Sequence, residues 1–269
     1  MGQDGVIPGI DTSKPHPARV YDFLLGGKDN FTADRMVAER LARAWPGVRQ
    51  AARENRAFIR RAIQYLAVEE GVTQFLDIGS GLPTVGNVHE VAQAINPVAR
   101  VVYVDNDPIV NAHGKALLVS GALGKSMFVQ ADLRQPEAIV SHPAVVETLD
   151  FSQPVALILA AVLHFLSDDE QPARIVKTLV DALPSGSYLI ASHATHEYSP
   201  QAGAGMTAAR QGTGIGGQDR SSEEFADLVL PGLDLVAPGV VAISEWRPAE
   251  AIVTPRSEVG LNALVARKA

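Results

Sequence analysis

The 269-residue chain contains no cysteine. That excludes disulfides, thiolate metal sites and thiol nucleophiles, and with them methylation of cytosine C5 by a cysteine nucleophile. A basic excess is also missing: 23 Lys and Arg stand against 30 Asp and Glu, a formal charge of −7. Nucleic acid is therefore not expected as the main partner, although a local basic groove is compatible with that total. Long apolar runs are absent. The longest, "VALILAAVLHFL" at 155–166, is too short to cross a bilayer and ends in "SDDE". The stretch "MGQDGVIPGIDTSKPHPARV" has no apolar signal core. A cytoplasmic protein with no membrane partner is expected, and no internal repeat is visible. What is present is 46% apolar and 20% charged residues, enough for the core of one domain with embellishments, or at most two domains.

Residues 1–18 carry Gly, Pro and Asp and little apolar content, which predicts a tail. The apolar cluster of "ARVYDFLLGGKDNF" breaks at Gly26 and Gly27. Two helical patterns follow. The first places Met36, Val37, Leu41 and Trp45 on one side; the second places Phe58, Ile59, Ala62, Ile63 and Leu66 on one stripe. From residue 73 strands and helices alternate. Strand-like runs are "TQFLDI", "ARVVYVD", "SMFVQAD", "PVALILAAVL" and "SGSYLIASH", several of them almost wholly apolar, as buried parallel strands are. Helices are predicted for "NVHEVAQAI", "DPIVNAHGKALLVS", "PEAIVSHPAVVETL" and "DDEQPARIVKTLVDAL". Asn87 with Glu90 and Ser221 with Glu224 have the spacing of capping boxes, and Pro172 belongs in a first helical turn. Residues 194–220, rich in Gly and without periodicity, predict a long loop. "LDLVAPGVVAIS" and "LNALVARK" can close the sheet with an antiparallel hairpin. The expected fold is α/β: a Rossmann-like, doubly wound sheet of seven strands, mostly parallel with the last antiparallel. Residues 1–70 form a tail and helical extension, and 71–269 the ligand-binding domain, the two making one compact unit.

The segment "QFLDIGSGLPTVGN" puts Gly79 and Gly81 after the first strand, but Thr84 stands where a dinucleotide fingerprint has its third glycine. Pro83 interrupts the turn, and the following helix starts near Asn87. A diphosphate would be poorly held so far from a helix N-terminus. Asp77, at the strand end, repels a diphosphate and suits a cation. Asp105 closes the second strand where an acidic residue grips ribose hydroxyls. Asp132 follows the third strand and can accept from an adenine amino group. Each feature alone has an ordinary reading: a glycine turn, or a helix cap at Asp105 or Asp107. Together, three carboxylates at three successive strand ends suit an adenosine with a cationic amino-acid tail, which is S-adenosylmethionine.

With "FLDIGSG", "VVYVDNDP", "QADL" and "AAVLHFL", the chain resembles the class I S-adenosylmethionine-dependent methyltransferases. More closely it resembles a largely actinobacterial S-adenosyl methyltransferase family. That likeness is carried by "ARVYDFLLGGKDNF", "NRAFIRRA", "QFLDIGSGLPT", "NVHEVAQ", "YVDNDP" and "WRP", and runs from about Ile10 to Lys268. It implies cofactor contacts at Asp77, Gly79, Gly81, Asp105 and Asp132, with Asn106 and Leu133 beside them, and a cofactor border from Ala160 to His164. It names no acceptor. The fourth strand lacks the Asn/Asp-Pro-Pro-aromatic motif of many amino-methylating enzymes, which disfavours nucleic-acid adenine or glutamine methylation. Its "LHF" is similar to small-molecule methyltransferases.

Arg49, Arg53, Arg56 and Arg60 share one helix face. They form either a solvated face balanced by Glu54, Glu69 and Glu70, or a site where Arg56 or Arg60, with Asn55, holds the cofactor's carboxylate. Tyr21, Gly26 and Gly27 form either a lid or a hydrophobic anchor with a turn. His164 is either a border of the transfer site or a structural histidine. His193 and His196 do not have a zinc-protease spacing, and no metal site is expected. His196 or Tyr198 can contact substrate. No nucleophile–base pair is identifiable, and His164, His196 and Tyr198 are the only catalytic candidates. The expected function is methyl transfer to a small molecule under a roof of residues 19–31 and 194–220. The alternatives are a non-catalytic adenosylmethionine- or adenosylhomocysteine-binding regulator and, against the loop geometry, a nicotinamide-dependent oxidoreductase.

Overall fold

The structure, a computed structural model, describes residues 11–117, 121, 123–249 and 254–269. Three helices come first: α1 (Pro17–Leu25), α2 (Thr32–Ala44) and α3 (Val48–Val68). The alternating part runs β1 (Gln74–Ile78), α4 (Val88–Ile95), β2 (Arg100–Asp105), α5 (Pro108–Leu117), β3 (Lys125–Gln130), α6 (Pro136–Val140), α7 (Pro143–Val146), β4 (Ala156–Ala160), α8 (Pro172–Asp181) and β5 (Tyr188–Ala194). It closes with α9 (Pro200–Arg210), α10 (Ser222–Val229), β6 (Leu233–Leu235), β7 (Val241–Ala242), α11 (Arg256–Val259) and β8 (Leu261–Lys268).

The sheet order is β3-β2-β1-β4-β5-β8-β6, a row of seven, with two-residue β7 pairing β8 beside it. Strands β1 to β5 are parallel, and β8 is antiparallel to β5, β6 and β7. This is the doubly wound, mostly parallel sheet expected from the strand–helix alternation. Strand order reverses between β1 and β4, the switch point beyond whose carboxyl ends such sheets bind ligands.

Side chains alternate across the sheet. Phe75 and Tyr103 join Phe58, Ile63 and Leu66 of α3 in one core. Leu76, Ile78, Val102 and Val104 join Ile175 and Leu179 of α8 in the other. Asp77 shares the parity of Phe75, so it lies on the α3 face. A third apolar cluster joins Val20 and Leu24 of α1, Val37 and Leu41 of α2, Val48 and Ala52 of α3, and Met206 of α9. On the same face as α3, Arg61 donates to the carbonyls of Ile243 and Trp246 at 2.8 and 2.9 Å. Fully buried Trp246 meets Phe58 and Tyr65 edge-on, tying the "WRP" segment to α3.

Helix starts follow the sequence signals. Glu224 and Ser221 exchange hydrogen bonds at 2.7 and 3.1 Å, and Pro172 opens α8. Four expectations are corrected. The tail over 1–18 ends sooner, because His16 caps α1 and Pro17 opens it; residues 1–10 lie outside the described residues. Met36 is 65% exposed, and Ala38 takes its place on the buried face. The helix expected over "PEAIVSHPAVVETL" is split into α6 and α7, because Pro143 biases His142 to the extended backbone. The loop expected over 194–220 contains α9. Its glycines serve close packing inside a helix: a Cβ on Gly203 would lie 2.5 Å from the His196 Cβ, and one on Gly205 3.4 Å from the Ala44 carbonyl. The end of the helix expected over "DPIVNAHGKALLVS" lies outside the described residues.

Candidate active site

A cavity of about 400 Å³ lies above the carboxyl ends of β1, β2 and β4. That volume is in the range of small-molecule sites. Its floor is the turn after β1. Gly79 has φ +75°, and a Cβ there would come within 2.5 Å of the Val162 side chain. Gly81 has φ +68° and faces open space. Both positions therefore demand glycine. Beyond the turn, α4 begins only at Val88. Glu90 accepts from the amides of Gly86 and Asn87 at 2.8 and 3.1 Å, so a carboxylate already holds this end. A diphosphate finds no free helix N-terminus here.

The strand ends carry the charge. Asp77 is buried, and its carboxylate has no hydrogen-bond partner among the described residues. Burial pushes its pKa up to about 7, against the pull of Arg56. Asp105 accepts from the Gly81 amide at 2.9 Å and the Asp107 amide at 3.0 Å, so it fixes the glycine turn while lining the cavity. Burial raises its pKa too, although those two amides oppose the rise. Asp132 accepts from the Arg134 amide at 2.9 Å and the Asn106 side chain at 3.2 Å. Burial works to raise its pKa, but these bonds and the Arg134 guanidinium outweigh it and the net shift is downward. The neighbouring Leu133 amide has no partner among the described residues. A lone buried carboxylate, a side-chain-free turn and a fixed acidic strand end fit a cationic adenosyl compound.

The extension closes over this edge. His16 lies 3.1 Å from Asn106 through Nε2 and 3.1 Å from Asp107 through Nδ1. Arg19 approaches Asp107 at 3.1 Å and Asp34 at 3.6 Å, ionic contacts rather than aligned hydrogen bonds. These three charged side chains are 5%, 2% and 0% exposed respectively. A polar chain crosses the roof: the Ala161 amide donates to Ser192 Oγ at 2.9 Å, and Ser192 donates to Asn55 Oδ1 at 2.6 Å. Asn55 Nδ2 in turn meets the Tyr21 hydroxyl at 3.0 Å, which donates to the Ala52 carbonyl at 2.9 Å. The chain holds Ala161 at φ +53°, a strained backbone at the cavity wall.

Tyr21, Asn55, Arg56, Asp77, Gly79, Gly81, Asp105, Asn106, Asp132, Leu133, Ala160 and His164 all line this one cavity. Gly27 does not; it packs on Asp22, whose carboxylate a Cβ would strike at 2.0 Å. Of the four arginines on the α3 face, Arg56 alone lines the cavity, and its guanidinium donates to Thr84 at 2.6 Å. Arg49 reaches back to the Phe23 carbonyl, and Arg53 and Arg60 are exposed. His196 is exposed, and Tyr198 is bonded to Asn262; neither lines the cavity. His164 is buried, with Nδ1 unpartnered. Burial, with Arg210, His193 and Arg220 nearby, lowers its pKa well below 6.5. His193 bonds the Ala194 carbonyl and Arg220, and burial lowers its pKa to about 4. Among the described residues no group of three or more His, Cys, Asp or Glu could hold a metal ion, and no helix is long and apolar enough to cross a membrane. The sequence reading missed His16, for which the His-Pro pair that opens α1 was the available signal. Ala161 falls inside the border expected from Ala160 to His164, but its left-handed backbone left no signal in the sequence.

Fold and site define a class I methyltransferase. The chain belongs to the S-adenosyl methyltransferase family, whose model matches residues 5–269. A DUF574 family protein from Streptomyces avermitilis is similar at 40% identity and TM-score 0.92, over 96% of this chain and 99% of that one. A protein from Thermobifida fusca, provisionally described as a methyltransferase, is similar at 45% identity and TM-score 0.89, over 97% of each. The plantazolicin methyltransferase BpumL, solved with S-adenosylhomocysteine, shares the fold alone, at 12% identity and TM-score 0.53 over 94% of this chain and 95% of that one. No curated protein matches the chain.

Asp105→Ala is expected to weaken adenosylmethionine binding by roughly 1–3 kcal/mol, through lost ribose hydrogen bonds and a loosened Gly81 turn. Titration calorimetry measures it, and unchanged affinity removes Asp105 from that role.

Proposed function

We propose that the protein moves the methyl group of S-adenosylmethionine to a small-molecule acceptor. The observation that carries this reading is Asp77, a buried carboxylate left without a hydrogen-bond partner at the switch point of the sheet. A cationic ligand relieves such a group; a neutral or anionic one does not.

When bound, the cofactor supplies a methyl group on a positively charged sulfur that departs as a neutral thioether. Asp77 receives the cofactor's ammonium, and Arg56 its carboxylate. Asp105 accepts from the ribose hydroxyls. Asp132 accepts from the adenine amino group, and the Leu133 amide donates to the ring. Gly79 and Gly81 leave the backbone bare for close approach. Tyr21 and Asn55 hold the roof in place, which excludes water and aligns the acceptor. A general base is needed only if the acceptor must lose a proton. His164 stays neutral at physiological pH, so it accepts or donates a hydrogen bond there rather than carrying charge.

Calorimetry with adenosylmethionine, adenosylhomocysteine, NAD and NADP tests this. The first two are expected to bind at micromolar concentration and the last two not at all; binding of NAD alone overturns it. Turnover of labelled methyl into a metabolite extract then separates an enzyme from a non-catalytic cofactor-binding regulator.

A further inference from the structure

The cavity has two unlike ends. Over β1, β2 and β3 stand Asp77, Asp105 and Asp132, with Arg56 and Arg134. Over β4, β5 and β8 the lining comes from the third apolar cluster and its neighbours: Leu24, Leu41, Trp45, Val48, Met206 and Phe165. Arg210 is the one ionic side chain lining this second end among the described residues, and it is already paired with Asp219 at 3.2 Å, both nearly buried. Among the described residues no carboxylate lines it. The Trp45 indole is fixed as a wall. A Cβ on Gly47 or Gly260 would come within 2.7 Å of that ring, so both neighbours press against it through bare backbone. At the boundary of the two ends stands the His164 imidazole, neither of whose ring nitrogens has a hydrogen-bond partner among the described residues; Nδ1 is enclosed, which leaves Nε2 as the nitrogen available to the cavity.

We propose that this second end binds a neutral, largely apolar ring compound carrying one hydroxyl, which is anchored by His164 and is the methyl acceptor. The inference rests on the methyltransferase reading for the word acceptor, and on the lining alone for the chemistry. An ammonium has no counter-charge at this end, and a carboxylate or phosphate finds only an arginine already engaged. Burying either charge unpaired costs more than the apolar contacts return. A ring gains from the fixed indole and from aliphatic walls. In the transfer, the acceptor oxygen bonds to the methyl carbon while the carbon–sulfur bond breaks, its electron pair staying on sulfur. The hydroxyl proton passes to the neutral His164 imidazole and on to solvent. A weak base suffices, because the hydroxyl becomes strongly acidic as its oxygen is alkylated.

The test is a charge series on one ring, measured by calorimetry on the full chain with and without saturating adenosylhomocysteine. The probes are 2-naphthol, 2-naphthoate and 2-naphthylmethylammonium. Naphthol is expected to bind at least about tenfold more tightly than either ion, the direction that unpaired charge burial dictates. Equal or tighter binding of an ion overturns the proposal, as does failure of all three while adenosylhomocysteine binds. If adenosylhomocysteine itself does not bind, the functional reading falls, and the series without it still decides the chemistry of this end. His164→Leu is expected to weaken naphthol by about three- to tenfold, the loss of one hydrogen bond, and to leave 2-methoxynaphthalene unchanged. Equal effects on both remove His164 as the anchor. Met206→Glu should shift preference toward the ammonium probe, with retained adenosylhomocysteine binding as the check on folding; an unchanged preference places the ring elsewhere.

Discussion

At pH 8 the Asp77→Asn protein is expected to be about 4 kcal/mol more stable than the unsubstituted chain, and to have lost most of its affinity for adenosylmethionine. The carboxyl of Asp77 is raised by burial from 3.8 to about 7 in the folded protein. Between those values the folded state holds a proton that the unfolded state has released. Stability contributed by that protonated carboxyl is full below the unfolded value and is lost as pH rises to about 7. Asparagine has no such proton to lose. The gain should therefore vanish near pH 4, grow through pH 5 and 6 and level off above 7, as urea unfolding across pH would record. A gain independent of pH assigns the effect to packing instead. The same linkage governs binding. A cation beside Asp77 favours its ionised form, so cofactor binding near pH 6 should release close to one proton. Calorimetry in buffers of different ionisation enthalpy reads this directly, and zero proton release removes Asp77 from contact with the cation.

Arg19→Ala should destabilise the protein by about 3–5 kcal/mol, the cost of stripping the cation from a buried ionic cluster. The guanidinium stands between Asp34 and Asp107, and its loss leaves two nearly inaccessible carboxylates without it. Asp34 keeps the amides of His16 and Phe31, at 2.9 and 2.8 Å, but these do not neutralise its charge. The damage should centre on α1 and the end of β2, so proteolysis near residue 17 is expected to accelerate before global unfolding. Arg19→Met combined with Asp107→Asn should recover part of the loss, because fewer charges are then buried alone. A loss under about 1 kcal/mol for Arg19→Ala, typical of exposed ion pairs, means that the cluster is open to solvent.

These effects also mark where the sequence was readable. Asp77, Gly79, Gly81, Asp105 and Asp132 stood out because parallel strands are nearly continuous apolar runs, and an acidic residue or glycine at their ends breaks the pattern. Helices with one strong apolar stripe, such as α3, were equally plain. Residues whose role depends on distant partners were not. Arg19 and Asp34 drew no assignment from the sequence, since nothing in their neighbours announces Asp107, which follows only after most of three helices and two strands. Trp45 was legible as apolar but not as a cavity wall, because that role requires Gly260 behind it. In α9 the glycines suggested a loop; only the flank of α2 and the position of His196 explain why a helix tolerates them.

The placement of β8 has a consequence for how the protein is made. That strand lies between β5 and β6, and Gly260 and Leu261 at its start border the cavity. A nascent chain can pair β1 to β5 as they leave the ribosome, but its ligand chamber stays open on one flank until residues 261–268 have emerged. During that interval the side of β5 presents unpaired amides and carbonyls to other chains, as any unprotected strand edge does. Synthesis that stalls near residue 255 should accordingly yield an aggregating species rather than a slow enzyme.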